Sequence, residues 1–188
     1  LNALWRRLIS TDGQPRDAGA DDGRLLALRL EGLLRAGRIG DAEALAGRQT
    51  GVFESPLVSL AMARVALARG DDARACAAIR TVPSRALSSK AAAEAILIGA
   101  VCVATAENPA AAALAADLAR EQGLDAPFEI ALLDAVGEGS QASVPADTRI
   151  GIAAYRLMTL TRKPPIASLL DHAEPELLAV LAAEPAAG

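Results

Sequence analysis

One short pattern recurs along the chain. Residues 33–45 (LLRAGRIGDAEAL) are echoed by residues 66–79 (ALARGDDARACAAI) and more loosely by residues 102–114 (CVATAENPAAAAL). Each copy runs from an apolar helical stretch into a polar break, then to an Asp or Asn followed by Ala at alternating positions. Gly37 and Gly70 are 33 residues apart, Asp41 and Asp72 31, and Asp72 and Asn108 36. A period in the low thirties with one break per unit marks stacked helix–turn–helix units, because a single helix pair cannot bury its apolar face alone. This constrains the architecture and argues against most enzyme classes, but it names no ligand.

Composition points the same way. Alanine, the best helix former, makes up about a quarter of the 188 residues. Val and Ile are few and do not alternate with polar residues, so no strand is expected and the fold class reads as all-α. The net charge of −4 hides a gradient: residues 1–90 carry 14 basic and 10 acidic side chains, residues 91–188 carry 5 and 13. Solvated helix faces account for this, with a basic end docking an acidic partner as the sharper alternative. Arg residues spread over many helices, without aromatic stacking platforms, argue against nucleic acid. The longest apolar run, residues 95–106, is too short to cross a bilayer, so no membrane insertion is expected.

Cap and break signals divide the chain. Residues 1–21 read as a helix end anchored by Trp5 and a linker rich in Asp, Gly and Pro. Residues 22–136 hold the repeats, with turns expected near 37–41, 70–72 and 106–109. Residues 137–188 read as helices that continue or cap the array, over about 147–161, 166–172 and 175–183, with 137–146 the place for a local hairpin. The chain opens at Leu1 within helix-like sequence, so a piece of a longer protein is expected.

Leu34, Gly37, Ala42 and Ala44, and again Leu67, Gly70, Ala73 and Ala75, fit a helix that turns at Gly into a second helix beginning with small residues; Ala110 and Ala112 follow the third break. Over residues 22–123 the chain thus resembles a tetratricopeptide-type α-solenoid, with Leu, Ala or Val at the usual aromatic positions. The resemblance implies a right-handed superhelix of antiparallel helix pairs whose surface binds a partner protein or peptide. The four alanines 42, 44, 73 and 75 should then lie at close helix contacts.

No arrangement for catalysis is visible. The one histidine, His172, has no second histidine to share a metal and reads as an ordinary surface residue. The glycines lack phosphate-loop and dinucleotide spacing, Ser88 and Ser89 lack a base, and the Asp pairs sit where helix caps belong. No cofactor or metal is expected. Cys76 and Cys102 fall near helix ends that would share an edge in stacked units. They could form a disulfide worth about 3 kcal/mol, the alternative being two buried core thiols.

The expected function is a non-catalytic protein–protein interaction or scaffolding module. Arg24, Arg35, Met62 and Arg64 on the first helices of the units are candidate partner contacts. The alternative is a helical superstructure domain of a larger, cell-wall-related enzyme. A Cys76–Cys102 bridge would favour the bacterial periplasm, free thiols the cytoplasm.

Overall fold

The computed structural model describes residues 22–48, 55–80, 82–83, 87–104, 108–162 and 164–183. The expected helix end and linker at 1–21 lie outside the described residues. Within them the chain is all-α: α1 (Asp22–Arg35), α2 (Ile39–Gly47), α3 (Pro56–Ala68), α4 (Asp72–Ile79), α5 (Ser89–Val103), α6 (Ala110–Glu121), α7 (Pro127–Gly137), α8 (Ile152–Thr161), α9 (Ile166–Leu169) and α10 (Pro175–Ala183). The only β pairing among the described residues is an isolated parallel bridge between Ile150 and Ala173.

The same device ends α1, α3, α6 and α7. Gly37, Gly70, Gly123 and Gly139 adopt φ of +66°, +75°, +63° and +68°. After α1, Gly37 N donates to Leu34 O and Arg38 N to Leu33 O; Gly70 and Asp71 repeat this on Leu67 O and Ala66 O. Orphan carbonyls of the last turn are satisfied in this way, and the left-handed step turns the chain back on itself. Asp71 then caps α4, its carboxylate accepting from Arg74 N at 3.0 Å.

Consecutive helices pack on each other from α1 through α8; α1 also meets α3, and α3 meets α5. α3 and α5 are the central elements. On α3, Val58, Leu60, Ala61, Ala63 and residues 64–67 are all buried. A helix buried over most of its circumference needs apolar residues on several faces, and α3 and α5 have them. Val58, Ala61 and Val65 face a cluster with α1 and α2, while Leu60, Ala63 and Leu67 face a larger one built from α5 onward. The last helices do not simply extend the series. α8 packs on α3, α5 and α7, and α10 returns to α1, α3 and α8.

Three expectations need correction. The helix expected from about 147 starts at Ile152, because Ile150 is held extended: its N–H donates to His172 O at 2.8 Å and its carbonyl accepts from Glu174 N at 2.9 Å. The helix expected to reach His172 ends at Leu169, whose carbonyl takes the N–H groups of both His172 and Ala173. Ala42 and Ala75 are fully buried, but Ala44 and Ala73 are exposed. Residues two apart on a helix lie about 200° around the axis, so alternating alanines cannot share one contact face. Residues 138–146 form no strand.

Candidate functional site

A cleft of about 1150 Å³ opens over the N-terminal halves of α3 and α5. α1 forms one wall with Arg24, Leu28 and Glu31, and the start of α7 the other with Asp125, Phe128 and Glu129. The start of α10 closes an end with Glu174, Glu176 and Leu178. Leu28, Leu57 and Leu178 are 71, 43 and 38% exposed around it and give its border an apolar side, while Leu114, Leu118 and Leu170 are exposed away from it.

At the floor lies Arg64, on α3 between the two apolar clusters and only 6% exposed. An unpaired guanidinium there would be costly, and carboxylates from three other helices surround it. Its Nη1 donates to Glu31 of α1 at 2.5 Å, and its Nε lies 3.0 Å from Glu94 of α5. Glu176 of α10 takes two bonds, from Nε at 3.3 Å and from Nη2. Glu176 Oε1 also accepts from the backbone N–H of Ile152, the first residue of α8, at 3.4 Å. One side chain thereby joins five elements. Outside this group, Arg35 pairs with Glu31 at 2.7 Å, and Lys90 lies 4.0 Å from Glu174.

The carboxyls are not equivalent. Burial works against ionisation of Glu31, but Arg64 and Arg35 outweigh it and hold its pKa below the usual carboxylate range. Burial pushes Glu94 up to about 7; Arg64 opposes this, while Glu176, Glu174 and Glu31 add to it. Burial also raises Glu176 against the pull of Arg64. Arg64 itself is raised, since Glu94, Glu176 and Glu31 together exceed the effect of its burial. One cation therefore serves more carboxylate than it can neutralise. The side chains of Glu31, Glu94 and Glu174 are 33, 21 and 28% exposed, whereas that of Glu176 is 1%, so the first three are the ones open to a visitor.

Of the expected contact residues, Arg24 is exposed and lines the cleft, as does Arg35. Met62 is half-buried against the cluster of α1 and α2 and does not line the cleft. Arg64 lines it but is committed to its internal carboxylates, not held out as a free contact. The sequence draws attention only to Asp pairs at helix caps, whereas the structure gathers glutamates in unequal, partly buried environments. Sequence reasoning missed Glu31, Glu94, Glu174 and Glu176, and the available signal was the single charge, Arg64, inside the otherwise apolar α3.

Cys76 on α4 and Cys102 on α5 are joined, with Sγ atoms 2.04 Å and Cα atoms 5.6 Å apart. The bridge lies at the C-terminal end of α5, and neither cysteine lines the cleft. His172 is half-buried, its Nδ1 3.1 Å from Thr148 O. Among the described residues, no group of three or more His, Cys, Asp or Glu could hold a metal, and no helix is long and apolar enough to cross a membrane. No known protein family, curated protein or solved structure matches the chain.

Proposed function

We propose that this is a non-catalytic interaction domain that holds a segment of a partner protein in the cleft. The observation that carries the reading is the combination of an open cavity of about 1150 Å³ with three exposed leucines, Leu28, Leu57 and Leu178, on its border. Exposed leucines cost solubility unless something covers them, and a cleft between helices is where a peptide gains most apolar contact. In this reading α1–α2, α3–α4 and α5–α6 are three stacked units of a right-handed tetratricopeptide-like solenoid, and α7–α10 close it. Support comes from the contacts of α1 with α3 and of α3 with α5, and from the matching glycine turns after α1 and α3. The disulfide supports residence where thiols are oxidised, such as the bacterial periplasm.

The test is selection of short random peptides on the immobilised full chain, followed by binding to Leu28→Glu and Leu57→Glu variants. Peptides that bind the parent and lose at least tenfold on either variant support the cleft as the site. Peptides that bind all three chains alike would place recognition elsewhere.

A further inference from the structure

We propose that the segment taken by the cleft presents one Lys or Arg side chain between apolar ones, the cation resting on Glu94 and Glu174 and its apolar neighbours on Leu28, Leu57 and Leu178. This rests on the cleft being the binding site and specifies the chemistry of its occupant.

The argument is one of complementarity. Four carboxylates, Glu31, Glu94, Glu174 and Glu176, gather at the floor and near end, coming from α1, α5, the approach to α10 and α10 itself. The cations lining the cleft are buried Arg64, Arg35 on the outer side of Glu31, exposed Arg24 and Arg149, and Lys90, whose side chain is 85% exposed. Glu176 is enclosed, and Glu31 is bound by two arginines. That leaves Glu94 and Glu174 as open carboxylates with incomplete compensation. Among the described residues, Glu94 has only the Arg64 edge at 3.0 Å, and Glu174 has Lys90 at 4.0 Å. A mobile, solvated lysine such as Lys90 gives little back to its partner, so a cation delivered from the cleft meets a real deficit. Ala27, Leu28, Leu57, Ala61, Ala91 and Leu97 supply the apolar part of the lining, which lowers the local polarisability and strengthens the attraction. An apolar segment with an acidic residue at the same place would face four carboxylates and be rejected.

The raised pKa of Glu94 is compatible with this picture: burial is its main cause, and the neighbouring carboxylates of Glu176, Glu174 and Glu31 add to it against the pull of Arg64. A cation seated beside it favours the ionised form, so binding releases a proton. Affinity should rise as pH goes from about 6 to 8 and Glu94 ionises in the free protein. The groups facing Glu94 in this range are Arg64, Glu31, Glu174 and Glu176, with Lys90 on its own helix.

The experiment uses the peptides selected above on the full chain. Cleft binders should be enriched in a single basic residue flanked by apolar ones. Replacing that residue by norleucine should weaken binding by about tenfold, as expected for a lost charged hydrogen bond. Glu94→Gln and Glu174→Gln, checked for an unchanged helical spectrum, should each weaken the basic peptide and leave the norleucine peptide alone. Glu94→Gln should also flatten the pH dependence. If the binders that depend on Leu28 and Leu57 are acidic or uncharged, or if neither Gln variant discriminates the peptide pair, the proposal fails while the cleft remains the binding site. If no peptide depends on those leucines, both readings fail. Concentration-dependent self-association abolished by Leu28→Glu would give the cleft to a second copy of the chain and overturn the proposal as well.

Discussion

Replacing Glu94 by Gln tests the electrostatics of the floor directly. In the unfolded chain this carboxyl titrates near 4.5, and in the fold near 7. The raised value means that the folded state binds the proton more tightly. Its contribution to stability is therefore fully present below pH 4.5 and is lost as pH rises through 7. At 1.36 kcal/mol per decade the loss amounts to about 3 kcal/mol by pH 8. Glutamine keeps an oxygen for the Arg64 Nε and carries no charge at any pH, while Glu31 and Glu176 continue to hold the guanidinium. The variant should match the parent near pH 5 and exceed it by about 1–3 kcal/mol at pH 8. Urea unfolding followed by far-ultraviolet circular dichroism at low salt, at several values between these limits, reads the difference without the ionic screening that guanidinium chloride would add. A gap between the two chains that stays constant with pH would refute the reasoning. So would a variant that falls further behind as pH rises, because the Arg64–Glu94 pair would then outweigh the burial of the carboxyl.

Other substitutions probe the same structure from different sides. Arg64→Met should cost about 3–5 kcal/mol at neutral pH by stranding Glu176, and Glu176→Gln added to it should recover part of the loss in the same urea assay. Reducing the Cys76–Cys102 bridge frees a loop of 26 residues and should lower stability by about 3.5 kcal/mol on the chain-entropy argument, visible as an earlier melt under reductant; an unchanged melt would contradict it. Gly70→Ala, where nothing lies near the new methyl, should cost only the left-handed backbone term of about 1–2 kcal/mol. Gly37→Ala should cost more, because its methyl would sit 2.8 Å from the Pro175 carbonyl; equal losses in thermal melts would count against the α1–α10 contact. Ala75→Leu, at a fully buried position, should cost about 1–3 kcal/mol by overpacking, and a neutral melt would mean that α4 is packed loosely.

The helices were legible because their signals are local. The positive-φ turns at Gly37 and Gly70 and the Pro-initiated α3 follow from neighbouring residues, and a stripe such as Leu26, Leu30 and Leu33 declares its buried face within two turns. The start of α8 was not legible, since Ile150 is held by His172 and Glu174, more than twenty residues away. The floor of the cleft was hidden for the same reason on a larger scale. Arg64 and Glu176 are 112 residues apart, and no periodicity in either helix announces the other. An arginine inside an apolar helix looks like an edge residue until the helix turns out to be packed between two apolar clusters, as α3 is. The exposed Ala44 and Ala73 carry the opposite lesson: a repeated residue is not a repeated environment, because helix geometry turns alternate positions outward.

The return of α10 to α1 bears on how the molecule comes apart. In a row of units that touch only their neighbours, either end can peel away while the middle stays folded. Here the last helix is tied through Glu176 and Arg64 to Glu31 of the first, so peeling α10 also strips a wall from α1 and leaves a guanidinium short of partners. The two ends must let go together. Amide exchange should accordingly give α1 and α10 a common opening free energy despite the length of chain between them, as if the row had been closed into a ring.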